Sequence, residues 1–118
     1  MTVDILYKLI TLPREFSQLN TVSMYDLLKR TGYADLSKSI SEDDLYEKLL
    51  AHPEVITDWL EYSEDKRCAG WYFRSSNSDR YLVGYYGNGE SFETEYSDKL
   101  KACAVFIKHE LTNILKIS

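Results

Sequence analysis

Apolar residues recur at two different spacings in this chain, and the change falls near Arg67. Ahead of it the spacing is helical. Ile5, Leu6, Leu9, Ile10 and Leu12 follow Thr2, a fitting N-cap, and precede Pro13, which predicts a first helix of about ten residues. Ser23 and Asp26 are spaced as a capping box, Leu27 and Leu28 supply apolar positions, and Gly32 stands where a left-handed residue closes a helix. Ser41 and Asp44 repeat that spacing ahead of Leu45, Leu49 and Leu50, so a third helix is expected to run until Pro53. Pro53, at a first helical position, then opens a fourth, with Val55, Ile56, Trp59 and Leu60 along one side.

Beyond Arg67 the period is two. Trp71 and Phe73 alternate with Tyr72 and Arg74, Tyr81, Val83 and Tyr85 with Leu82, Gly84 and Tyr86, and Phe92, Thr94 and Tyr96 with Glu93 and Glu95. The turn-forming runs Ser75 to Asp79 and Gly87-Asn88-Gly89 separate these segments, which predicts a three-stranded antiparallel meander. Ser97 is placed to cap a closing helix with a long apolar stripe: Leu100, Cys103, Ala104, Ile107, Leu111, Ile114 and Leu115. Ile107 and Leu111 are therefore expected against Trp71, Phe73 and Val83. Helices, then strands, then a helix argue for an α+β fold: N-terminal helices, the meander, and a long C-terminal helix packed on the sheet. A chain of 118 residues is one domain's worth, residues 1–118, and the polar stretch Asp35 to Ser41 is its nearest approach to a linker.

Charge adds an asymmetry that the periodicity does not carry. The chain nets −5, yet residues 42–65 alone hold nine acids (Glu42, Asp43, Asp44, Glu47, Glu54, Asp58, Glu61, Glu64, Asp65) against one base, Lys48, a net of −8. Nucleic acid is an unsuitable partner for such a surface, because phosphate binding needs a basic stripe. A basic protein suits it, since exposed acids steer a positive partner. Tyrosine is the second asymmetry: of ten, Tyr62, Tyr72, Tyr81, Tyr85, Tyr86 and Tyr96 crowd into residues 62–96. If Trp71, Phe73, Val83 and Phe92 serve the apolar side of the sheet, some tyrosines must occupy the other, with Gly84 leaving a shallow spot between them. Tyrosine beside acids suits protein recognition.

Enzyme chemistry finds no foothold in the motifs. No nucleophile elbow, metalloprotease helix motif, phosphate loop or dinucleotide fingerprint occurs. Cys68, Cys103, His52 and His109 include metal-binding types without chelating spacing, and His109 beside Glu110 cannot be oriented by it, because adjacent helical residues diverge by ~100°. His109 is expected at the surface. No metal, cofactor or catalytic residue is assigned. The two cysteines lack a CxxC pattern and are expected as buried thiols in a reduced, cytoplasmic setting, and no apolar run approaches the ~20 residues that cross a bilayer.

One resemblance bears on function. The segment Trp59-Leu60-Glu61-Tyr62-Ser63-Glu64-Asp65-Lys66-Arg67, then Gly70-Trp71-Tyr72-Phe73, the strand Tyr81-Leu82-Val83-Gly84-Tyr85-Tyr86 and the helix Ala102-Cys103-Ala104-Val105-Phe106-Ile107-Lys108-His109-Glu110-Leu111 resemble the small cytoplasmic immunity proteins that accompany bacterial polymorphic toxins, including those of contact-dependent growth inhibition. The resemblance covers about residues 23 to 111 and implies a non-enzymatic protein that binds a cognate toxin domain, often a nuclease, and occludes it. The expected contact residues are Glu47, Asp58, Glu61, Tyr62, Glu64, Asp65, Tyr72, Tyr85, Tyr86, Glu93 and Glu95. A different reading of the same residues is a small-ligand or regulatory module that uses the aromatic face of the sheet; a closed apolar pocket would favour it, and an open acidic aromatic surface would favour the toxin binder.

Overall fold

In the computed structural model, described over residues 5–18, 23–36, 38–66, 70–76, 80–87 and 90–116, helices precede and follow one three-stranded sheet. The elements are α1 (Ile5–Ile10), α2 (Leu12–Gln18), α3 (Met24–Thr31), α4 (Tyr33–Leu36), α5 (Glu42–Ala51), α6 (Val55–Lys66), β1 (Gly70–Ser75), β2 (Tyr81–Gly87), β3 (Glu90–Tyr96) and α7 (Lys99–Lys116). The sheet is antiparallel in the order β1-β2-β3, so the fold is the α+β arrangement that the change of period predicts. No helix among the described residues is long and apolar enough to cross a membrane.

Local chemistry sets most helix ends. Ser41 Oγ accepts from the backbone N–H of Asp44 while the Asp44 carboxylate accepts from the N–H of Ser41, a complete capping box. Ser23 Oγ accepts from Asp26 N–H, and Gly32 closes α3 at φ 84°, a conformation that a Cβ would strain. Three ends differ from expectation. Pro13 lies in the first turn of α2 rather than terminating a longer first helix, because a proline there forfeits an N–H that the helix does not use. Pro53 precedes α6 instead of being its first residue, its carbonyl accepting from Ile56 N–H. Asp98, not Ser97, caps α7: its Oδ1 accepts from Leu100 N–H at 2.9 Å. The expected cap Thr2, the thiol of Cys68 and the turn residues Asn77 to Asp79, Asn88 and Gly89 lie outside the described residues.

The long helix packs on the sheet as expected, but it is buried on more sides than its stripe suggests. Ala102 to Ile107 are six consecutive buried residues, and at ~100° per residue they encircle the helix instead of marking one side. α7 is therefore the central rod of the domain, with the sheet on one flank and α3 and α5 on another. Contact with the sheet is made by Phe106, stacked on Phe73 with ring centroids 5.7 Å apart, and by His109, stacked on Trp71 at 3.9 Å and 8°. Ile107 and Leu111, expected against Trp71, Phe73 and Val83, are fully buried in the same core cluster as Phe73 and Val83, and ideal helix geometry sets them more than ~100° round α7 from the line of Phe106 and His109. Lys108 faces the helical side, its Nζ donating to Tyr33 Oη and to the carbonyl of Ile40. That contact ties down the stretch Asp35 to Ser41, which is no linker: α4 enters it and Ile40 is buried at its end. Leu50, expected on the apolar side of α5, is 58% exposed instead.

Candidate functional site

The ladder register determines which residues share a surface. Phe73 pairs with Val83 and Val83 with Thr94, so Trp71, Phe73, Tyr81, Val83, Tyr85, Thr94 and Tyr96 occupy the side facing α7. Tyr72, Arg74, Leu82, Gly84, Ser91, Glu93 and Glu95 occupy the outer side. The predicted contact residues therefore divide. Tyr72, Glu93 and Glu95 are together on the outer side, whereas Tyr85 is half-buried beside Trp71 on the inner one, ring centroids 5.5 Å apart. Tyr86 lies in the ladder between Gly70 and Ser91, and Asp65 in the last turn of α6.

Gly84 is the centre of the outer side, between Tyr72 on β1 and Glu93 on β3. With no Cβ in the way, the Tyr72 side chain reaches across two strand spacings, ~10 Å, and its hydroxyl donates to Glu93 Oε2 at 2.7 Å. Gly84 is consequently buried rather than a shallow spot. Arg74 Nη2 donates to the same carboxylate at 3.0 Å with its guanidinium 5.8 Å from the Tyr72 ring centroid. Burial of the Tyr72 phenol, reinforced by its bond to Glu93, pushes its pKa up to about 12. The same bond, with Arg74, holds the Glu93 carboxyl below its usual range. Glu95 pairs with Arg80 at 3.4 Å. The outer side is thus a latticework of paired charges, not a bare acidic surface.

Bare acids stand on the helices. Asp43 and Glu47 on α5 and Glu61 and Glu64 on α6 are exposed, with no cation against them among the described residues. Asp58 is half-buried and engaged, accepting from Arg14 at 2.9 Å, which fastens α2 to α6. Tyr62 is also engaged: its hydroxyl donates to the buried Glu110 carboxylate at 2.6 Å and its ring meets Trp59 edge-on. A groove of ≈ 530 Å³, open to solvent, runs between α6 and β1 and is lined by Leu60, Ser63, Glu64, Tyr72, Phe73, Arg74 and Ser75. It brings Glu64 and Tyr72 together. A second, polar groove of ≈ 520 Å³ lies where β3 meets the starts of α5 and α7, with Asp43, Tyr46, Arg80, Glu95, Asp98 and Lys101 on its walls.

Two groups depart from their sequence reading. His109 is half-buried against Trp71 rather than free at the surface, and burial lowers its pKa below the ordinary imidazole value, with Glu42 opposing weakly. Only the sheet's position reveals this. Cys103 is fully buried, and desolvation pushes its thiol far up, which leaves it unreactive. No group of three or more histidine, cysteine or acidic side chains capable of holding a metal ion occurs among the described residues. Comparison of the chain with known protein families, with curated proteins and with solved structures found no match.

Proposed function

We propose that this protein is a cytoplasmic immunity protein that binds a basic toxin domain and occludes it. The observation that supports this reading most is the set of exposed acids Asp43, Glu47, Glu61 and Glu64, which no described cation pairs, carried by two consecutive helices rather than by a loop. Unscreened acids of this kind accelerate encounter with a positive partner, while the nearby groove between α6 and β1 offers Tyr72 and Leu60 as contact area. Both grooves are open, which favours a protein partner over an enclosed small ligand.

The test is expression with the toxic domain encoded beside this chain, scored by co-purification and by survival of the producing cells. The triple reversal Glu47→Lys, Glu61→Lys, Glu64→Lys should slow association about tenfold or more at low salt and flatten its salt dependence, since screening acts over ~8 Å at physiological ionic strength. Stability should stay within about 0.5 kcal/mol. Loss of protection by the unaltered chain, or a salt slope indifferent to the reversal, sinks the reading.

A further inference from the structure

We propose that the free edge of β3, through the outward backbone groups of Ser91, Glu93 and Glu95, adds an extended lysine- or arginine-bearing strand of a partner protein to this sheet. The inference rests on the reading of a basic protein partner and states where and how that partner docks.

The alternation of the ladder identifies the free groups. Ser76 N–H donates to Arg80 carbonyl at 2.8 Å, so this is a hydrogen-bonded pair, and counting back by twos makes Arg74 with Leu82 and Tyr72 with Gly84 hydrogen-bonded pairs also. Tyr81, Val83, Tyr85 and Gly87 must then bond toward β3, to Tyr96, Thr94, Phe92 and Glu90. Ser91, Glu93 and Glu95 are left with N–H and C=O groups aimed away from the sheet, and no described residue bonds to them. All three are exposed. The outward group at the middle of the opposite edge, Phe73 N–H, is taken by Ser63 Oγ of α6 at 2.7 Å, so α6 blocks strand addition there.

Charge selects the occupant. β3 reads Glu-Ser-Phe-Glu-Thr-Glu-Tyr, with acids and no base. A second copy is a poor fit: the antiparallel register that pairs all of β3 with itself places Glu93 opposite Glu93, and the next one places Glu93 opposite Glu95 twice, like charges directly across the new pair. A basic strand meets the reverse situation. Its residues two apart fall opposite Glu93 and Glu95 at one strand spacing, ~5 Å; Arg74 and Tyr72 bond Glu93 through Oε2 and Arg80 meets Glu95 through Oε1, and no described residue bonds the second oxygen of either carboxylate, which can accept a further cation. Main-chain bonds would supply affinity and the alternate lysines the selection.

The probe is an acetylated heptapeptide in which lysine alternates with valine, with two controls: the same peptide N-methylated at alternate amides, and a version with glutamate for lysine. Amide exchange is followed by NMR on the full chain. We expect the amides of Ser91, Glu93 and Glu95 to slow about tenfold with the lysine peptide, an effect lost with either control and weakened by salt. Unchanged exchange at these three amides, or equal protection by the N-methylated peptide, overturns the inference. So does protection without peptide that grows with protein concentration, which would reveal a second copy. In cells, Ser91→Pro removes one outward N–H without touching the ladder and should abolish protection from the toxin. If that variant protects as well as the unaltered chain, edge docking fails while toxin binding stands; if neither chain binds the toxin but the peptide result holds, the edge serves a basic partner of another kind.

Discussion

The two outer strands of this sheet are treated in opposite ways. β1 lies against α6, where Ser63 Oγ takes the outward N–H of Phe73 and Leu60 and Glu64 overhang the strand. No described residue covers β3 in this way: the outward groups of Ser91, Glu93 and Glu95 have no bond from a described residue, and the strand's acids discourage self-pairing. A covered edge belongs to stability, because a buried N–H without an acceptor is destabilising. An uncovered one is available to another chain. The difference originates in the chain's order, since α6 enters β1 directly and is held beside it, while β3 passes straight into α7 beneath the sheet.

The largest effect should come from removing what holds α6 in place. Trp59 is fully buried, donates Nε1–H to the Ile10 carbonyl at 2.8 Å, and meets both Tyr62 and Phe106 edge-on. Trp59→Ala should destabilise the fold by about 3–5 kcal/mol by denaturant unfolding, and amide exchange at Phe73 should accelerate toward that of Glu93. An undiminished contrast between the two edges would show that α6 does not protect β1.

Next is the acceptor itself. Ser63→Ala leaves Phe73 N–H buried without a partner and should cost about 1–3 kcal/mol. A loss below that range would mean that water reaches the β1 edge through the groove, making the two edges alike.

Much of this was legible in the chain. The period change, the serine caps of α3 and α5, the left-handed Gly32 and the three strands follow from interactions among near neighbours, which a sequence displays. Relations across the fold were not. Tyr62 with Glu110 spans 48 residues and Trp59 with Ile10 spans 49, and no spacing rule links them. The central placement of α7 did have a signal, the unbroken apolar run from Ala102 to Ile107, which one helical face cannot hold. Of the candidate contacts, the outer-side position of Tyr72, Glu93 and Glu95 follows from parity, but their mutual engagement over Gly84 depends on strand pairing.

That engagement gives a smaller, pH-dependent effect. Tyr72→Phe removes a bond to Glu93 on a partly exposed surface and should cost about 1 kcal/mol. Because the folded Tyr72 pKa is raised from 10.0 to about 12, the stability it adds is present below pH 10 and is lost as pH rises toward 12. His109 acts in the opposite sense. Its folded pKa is lowered from 6.5, so its contribution is present above that value and falls away as the pH drops through it, with Trp71 fluorescence quenched as the stacked imidazole gains charge. His109→Phe should abolish the acid limb, and an unchanged fluorescence titration would place the stacked pair apart in solution.

The smallest effect separates the edges most directly, because it compares two positions on one strand. Ser91 N–H points outward and makes no ladder bond, whereas Thr94 N–H points to Val83 on β2. Proline forfeits the N–H in both cases, so Ser91→Pro should change unfolding free energy by less than about 1 kcal/mol, while Thr94→Pro should destabilise several-fold more by breaking the ladder. The ordering follows from the parity set by the Ser76 to Arg80 bond and from nothing about side chains, since both residues are exposed. If Ser91→Pro proves the more damaging, the alternation is inverted: Ser91, Glu93 and Glu95 then bond inward, and the uncovered edge offers different amides from the three named above.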